Sequence, residues 1–222
     1  MKVPGNTPAR RGRSLKIPFL HGICIITSLS TEQRRARMPD LIEIPATDGL
    51  HIALAYATPG NLTGRPVYAP GARCALRPAA ADCLLRAARA AYRAGLALAV
   101  YDAYRPAAAQ AVFWRMLPDP RYVADAAQGS NHTRGVAVDV GLLDADGSAL
   151  DMGTDFDDMR DQSHHDRDDV PPDAQRNRHL LLGIMLQAGF RSIPTEWWHY
   201  ELPDAREYAL LPESDLVRVV AD

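Results

Sequence analysis

Cysteine is scarce in this 222-residue chain, with Cys24, Cys74 and Cys83 widely separated. So few thiols exclude a disulfide framework and a cysteine-built zinc site, and they predict buried or idle cysteines. An excess of charge of one sign is also lacking. The 25 Lys and Arg nearly balance 27 Asp and Glu, for a formal charge of −2, so no basic surplus exists to attract nucleic acid. No uninterrupted apolar run approaches the roughly 18–20 residues of a membrane-spanning helix, and no internal repeat is visible. What is present is ordinary globular material, 47% hydrophobic and 23% charged. That composition rules out wholesale disorder, and the length suits one domain.

Residues 1–37 differ from the rest. Arg10, Arg11, Arg13 and Lys16 precede a short apolar patch, Ile17 to Leu29, broken by Pro18, His21 and Gly22. The order resembles an export signal. The apolar part is weak, however, no small-x-small cleavage site follows, and Ile23 is too bulky for Cys24 to be a lipoprotein cysteine. The segment is read as an extension, disordered or weakly targeting, with Met38 the natural beginning of a domain spanning 38–222. The cytoplasm is the expected compartment, with the periplasm as the alternative if the basic segment directs export.

From Asp40 the pattern predicts folded structure. Leu41 to Ala57 reads as strand-like segments around a turn at Asp48-Gly49, and Pro59-Gly60-Asn61 with Gly64-Arg65-Pro66 marks a loop. Alanine-rich Pro78 to Ala94 predicts a helix stopped by Gly95. Leu96 to Tyr104 suits a buried strand, and Pro106 can start a helix over Ala107 to Leu117. Val136 to Val140 alternates, placing three valines on one strand face and Ala137 with Asp139 on the other. Asp144 to Asp173 is an aspartate-dense loop with few apolar anchors, and loops that long usually serve a site. Gln175 to Ala188 predicts a helix with Leu180, Leu181, Ile184 and Met185 inward and Gly189 as its stop. Trp197 to Leu202 reads as the final strand. Strands and helices mixed without βαβ regularity predict a single α+β domain, a central antiparallel sheet with helices packed on it.

Two segments carry most of the chemistry, Ser130-Asn-His-Thr-Arg-Gly-Val-Ala-Val-Asp139 and Glu196-Trp-Trp-His199. A catalytic zinc site wants three N or O ligands and an open fourth position. His132, Asp139 and His199 could fill the three, with Gly135 letting the chain turn between the first two. Glu196 is then left to take a proton from attacking water and return it to the leaving amine. Spacing alone leaves this open. Most single His or Asp residues are surface or hydrogen-bonded structural groups, as His164 and His165 in the polar loop are expected to be. An Asp on a strand of Val and Ala does need a partner if buried, and a metal is one of few adequate ones.

The segments SNHTRGVAVDV, EWWHYE and YDAYRP, with Asn61-Leu-Thr-Gly64, Met152-Gly-Thr-Asp-Phe-Asp157 and Ala174-Gln-Arg-Asn177, together resemble the D-alanyl-D-alanine dipeptidases. These zinc peptidases share a superfamily with the D-Ala-D-Ala carboxypeptidases and include the dipeptidase of vancomycin resistance. The likeness runs from about Tyr56 to Leu202. It implies one zinc in a cleft, held by His132, Asp139 and His199, with Glu196 as acid/base and Arg105 facing the transition-state oxyanion. It also implies that Asp157 holds the substrate ammonium and that Ser130 and Tyr56 contact the small substrate, D-Ala-D-Ala. Tyr68 lies near a second tyrosine of the family but aligns loosely. Trp197 and Trp198 are expected to pack and steer their neighbours. The alternatives are a carboxypeptidase or endopeptidase acting on longer peptidoglycan peptides, and a non-catalytic zinc-binding, cell-wall-sensing module. Retention of Glu196 and Arg105 argues against the second, since a binding module needs no base.

Overall fold

The computed structural model describes residues 40–220. The extension 1–37 and Cys24 lie outside the described residues. The described chain runs β1 (Ile42–Glu43), β2 (Leu50–Ile52), β3 (Ala75–Leu76), α1 (Pro78–Arg93), β4 (Ala97–Asp102), α2 (Ala107–Met116), β5 (Ala137–Leu143), α3 (Pro172–Gln187), β6 (Arg191–Ile193) and β7 (Glu196–Glu201). It is an α+β fold.

The central sheet has the order β2-β4-β5-β7-β6. Its β4–β5, β5–β7 and β7–β6 pairs are antiparallel, as the sequence predicts, whereas β2 joins β4 in parallel. That parallel edge follows from α1, because parallel neighbours need a long crossover and the helix supplies it. The predicted pairing across Asp48-Gly49 reduces to one bridge, Thr47 with Leu50. β1 instead pairs with β3 in a separate two-stranded sheet. The last long strand, β7, enters between β5 and β6 and not at an edge.

Alternation sorts the sheet into two faces. Leu98, Val100, Val138, Val140, Leu142 and Tyr200 face α1 and α3 in the main core. α1 presents small residues there (Ala80, Ala81, Ala87, Ala88 and Ala91) around Leu84, which lets the helix lie close to the strands. On α3, Leu181, Ile184 and Met185 turn inward as predicted, but Leu180 is 42% exposed. The run Leu180-Leu181-Leu182 is apolar all round, and the sheet selects which of the three is covered. Ala97, Ala99, Tyr101 and Leu143 form a small cluster on the opposite face. A second core joins α2, through Ala109, Val112 and Phe113, to Tyr56, Tyr68, Tyr104 and Leu211. Cys74 and Cys83 are buried free thiols, and burial pushes the Cys74 thiol up to about 12. No helix among the described residues is long and apolar enough to cross a membrane.

Two strand irregularities shape the sheet near its polar side chains. In β4–β5, Val100 opposes Val140 but Asp102 opposes Asp139, so Tyr101 is an extra residue. In β6–β7, Ser192 opposes Tyr200 while Ile193 opposes Glu196, so Trp197, Trp198 and His199 bulge. Each bulge re-aims a side chain that strict alternation would send to the wrong face.

Gly141 sits under Tyr101 in the β4–β5 pair, and a Cβ there would meet the Tyr101 hydroxyl at 2.3 Å. Gly141→Ala should therefore displace that ring and cost about 1–3 kcal/mol. The expected result is a lower urea midpoint at unchanged m-value.

Candidate active site

The site lies where β4, β5 and β7 meet. Asp139 opposes His199 directly across β5–β7, so both side chains leave the sheet on the same face. His132 arrives from the turn before β5. That turn closes with the Gly135 amide donating to the His132 carbonyl at 2.9 Å, and Gly135 takes the positive φ of 70° that the turn requires.

Three atoms converge: His132 Nε2, His199 Nδ1 and Asp139 Oδ1. The two nitrogens are 3.1 Å apart, and Asp139 Oδ1 stands 3.0 Å from His199 and 3.3 Å from His132. A tetrahedral ion with bonds of about 2.0–2.1 Å to its ligands wants them about 3.3 Å apart. The donor set and spacing fit, and these residues form a buried group that could hold a metal ion. Their outer nitrogens are already committed. His132 Nδ1 donates to the Ala103 carbonyl at 2.8 Å, and His199 Nε2 to Glu201 at 3.1 Å. Such bonds fix the tautomer and leave the facing nitrogen as a lone pair. Glu201 is held in turn by Asn131 at 2.6 Å and by Arg191. Burial would raise the Glu201 carboxyl, but the bonds from His199 and Asn131 and the Arg191 charge bring it down to about 2.

A cavity of about 170 Å³ opens over this group, lined among others by Tyr56, Arg105, Ser130, Asp157 and Glu196. The structure thus brings every site residue named from the sequence to one place. Glu196 Oε2 is 3.9 Å from His199 Nδ1, and the β7 bulge is what turns it into the cleft. Burial pushes its carboxyl up to about 8, with Asp139 and Asp157 adding to the rise and His199 and Arg105 opposing it. Arg105 Nη2 lies 3.4 Å from Asp139 Oδ2, and the guanidinium stacks over the Tyr56 and Phe113 rings. Ser130 Oγ accepts the His132 amide at 3.1 Å. Asp157, at the tip of the aspartate-dense loop, accepts from the Tyr56 hydroxyl at 2.9 Å and the Leu62 amide at 3.0 Å. Its backbone has φ of 64°, a left-handed conformation that costs a non-glycine residue about 1–2 kcal/mol. Burial pushes its carboxyl up to about 6, against the pull of those two hydrogen bonds. Trp198 also lines the cavity, while Trp197 is buried and donates to Thr154. His164 contacts Tyr122 outside the ligand group.

Residues 40–215 match the model of a peptidase family, Peptidase_M15, described as D-ala-D-ala dipeptidase. The chain belongs to that family. It is 49% identical to the D-alanyl-D-alanine dipeptidase of Escherichia coli K12 over 164 residues, 74% of this chain and 84% of the relative. The D-alanyl-D-alanine dipeptidase of Streptomyces coelicolor is 35% identical over 70% of this chain and 87% of its own length. That of Enterococcus faecium is 34% identical over 67% and 84%. The family is one of metallopeptidases, in keeping with the His132, Asp139 and His199 group.

Sequence reasoning gave no role to Asp102 or Glu201 and set Tyr68 aside. Asp102 is fully buried behind the cavity. It accepts from Arg105 Nε at 2.8 Å and from the Tyr68 hydroxyl at 2.7 Å, so it orients the guanidinium of this dipeptidase-family protein. Its signal was an Asp ending an apolar strand, but the bulge that aims it cannot be read from spacing. For Glu201 a signal existed, since residues two apart on a strand share a face.

Removing one partner of a buried pair leaves the other charge uncompensated. Asp102→Ala should therefore destabilise the protein by ~3–5 kcal/mol. Tyr68→Phe, which deletes one hydrogen bond to a charged group, should cost ~1.5–3 kcal/mol. Chemical denaturation of metal-free protein reads both.

Proposed function

We propose that the protein is a zinc-dependent D,D-dipeptidase that hydrolyses D-Ala-D-Ala to two molecules of D-alanine. The observation that carries the proposal is the convergence of His132, Asp139 and His199 at 3.0–3.3 Å beside Glu196, in a chain of the dipeptidase family. His132, Asp139 and His199 would hold the zinc ion, which supplies Lewis-acid polarisation of a carbonyl and acidifies water. The remaining work falls to the side chains. Glu196 takes the proton of the attacking water and delivers it to the departing amine, so that one peptide bond and one water become an amine and a carboxylate. Arg105, fixed by Asp102, faces the negative charge that builds on the carbonyl oxygen. Asp157 holds the substrate ammonium, and Ser130 with Tyr56 contacts the small body of the dipeptide. A cavity of about 170 Å³ with a buried carboxylate for an amino terminus supports a dipeptide over a longer peptidoglycan stem.

The ligand assignment predicts about one zinc per chain, largely lost in His132→Ala and His199→Ala. Glu196→Gln should retain the metal while losing nearly all turnover. Metal analysis beside a D-Ala-D-Ala hydrolysis assay reads both. Full occupancy in either histidine variant would remove the ligand set, and a Glu196→Gln enzyme with most of its kcat would remove the base.

The Asp157 assignment predicts that N-acetyl-D-Ala-D-Ala is not cleaved, because the charge is gone and bulk is added. Asp157→Asn should raise KM for the free dipeptide with little change in kcat, since the pairing exists in ground and transition states alike. Losses for broken charge pairs run from ~0–1 kcal/mol when exposed to ~3–5 kcal/mol when buried. Asp157 is only 9% exposed, which places it toward the upper range. With its carboxyl at about 6, binding needs the ionised form, so KM should rise as pH falls through about 6 in the parent. That limb should vanish in Asp157→Asn. Equal cleavage of the acetylated dipeptide would favour the carboxypeptidase reading instead.

A further inference from the structure

We propose that Arg178 on α3 is a positioning residue for Asp157, and through it for the amino end of the substrate. The inference rests on the reading of Asp157 as the ammonium partner. Arg178 is 1% exposed, an unusual place for a guanidinium, and its three side-chain hydrogen bonds all end on backbone carbonyls. Nε reaches Met152 at 2.6 Å, Nη2 reaches Gln162 at 2.8 Å and Nη1 reaches His164 at 3.0 Å. Met152 is one foot of the arch that carries Asp157, and Gln162 with His164 forms the other. One planar fork therefore ties both feet together. A lysine ammonium, a point charge with rotatable donors, does not reproduce that geometry.

Above the clamp the arch is cross-braced by a directed chain of hydrogen bonds. Trp197 Nε1 donates to Thr154 Oγ1 at 2.8 Å, and Thr154 stands 2.9 Å from Ser163 Oγ. Ser163 in turn donates to the Asp158 carbonyl at 2.5 Å. Because Ser163 spends its proton on Asp158, Thr154 must donate to Ser163. The chain thus runs from the strand that carries Glu196 and His199 to the residue beside Asp157. Phe156, on the other side of Asp157, is seated among Tyr56, Tyr101 and Trp198. A left-handed aspartate backbone persists only where its surroundings over-determine it, and the clamp and the braces do so here. The long loop that the sequence marks as serving a site is thus tied at both feet by one buried arginine from the next helix.

The test uses Arg178→Met, Arg178→Lys, Thr154→Val, Asp157→Asn and the double variant Arg178→Met/Asp157→Asn in the full zinc-loaded chain. Arg178→Met should raise KM for D-Ala-D-Ala by roughly ten- to hundredfold, the scale of remote misplacement of a binding group. Its kcat should stay within about threefold, and its metal content should match the parent. Arg178→Lys and Thr154→Val should move KM in the same direction by less. The double variant should be no worse than Asp157→Asn alone, because both changes remove the same interaction. If Arg178→Met does not fold, Arg178→Lys and Thr154→Val carry the test, and parental KM in both overturns the proposal. It is also overturned if the losses in the double variant add, or if kcat or metal content falls while KM holds. Should Asp157→Asn itself leave KM unchanged, the ammonium assignment fails on that arm alone. Should Asp157→Asn raise KM while Arg178→Met does not, only the clamp fails.

Discussion

The register of β5 against β7 is the constraint on which the site depends. Asp139 opposes His199, Val138 opposes Tyr200 and Ala137 opposes Glu201. One pairing therefore puts two of the facing groups on the open side of the sheet and sends the tyrosine into the core. A slip of one residue would exchange those faces and bury the histidine among apolar side chains. The buried residues of both strands, Val138 and Val140 on β5 and Tyr200 on β7, oppose it, because a slip of either strand would bring its own apolar side chains out of the core. The site is thus specified by packing on the face it does not occupy.

Charge is the second organising fact. Asp102, Asp139, Asp157, Glu196 and Glu201 are all buried in or just behind the cavity. Arg105 is the buried cation nearest to them, and it serves Asp102 at 2.8 Å and Asp139 at 3.4 Å. Buried carboxylates either find a cation or rise in pKa toward neutrality, and both responses are visible. Asp139 lies between the His132 and His199 rings. In the metal-free site, where those rings can carry protons toward it, their charge and hydrogen bonds outweigh burial and hold it well below the usual carboxylate range. Glu196 and Asp157 are pushed up. One guanidinium does not balance the set, and the excess of negative charge gathers around the three converging atoms that could hold a metal ion.

Much of this was legible in the sequence, because the relevant signals are local. The alternation of Val136 to Val140 marked a strand with Asp139 on its polar side, and proline and glycine punctuation bracketed the helices. The motif segments named the residues that line the cavity. What escaped is what depends on neighbours in space. Neither bulge leaves a trace in residue type, so the aim of Asp102 and Glu196 was invisible. The parallel edge strand, short β3 and β6, and the outward turn of Leu180 are decided by the sheet and not by local pattern. Arg178 was given no role from the sequence. Only the fold shows that its side chain runs inward to the loop.

The position of β7 has a consequence for how the molecule comes into being. Among the described residues it is the last long strand, yet it sits inside the sheet, between β5 and β6. During synthesis, residues up to Ala188 can assemble the helices, β4 and β5, but β5 then shows an unpaired edge. An open edge of that kind is a template for wrong partners. Only insertion of the β6–β7 hairpin closes it, and the same event delivers Glu196 and His199. The hairpin that covers the β5 edge is thus the same element that brings Glu196 and His199 to His132 and Asp139.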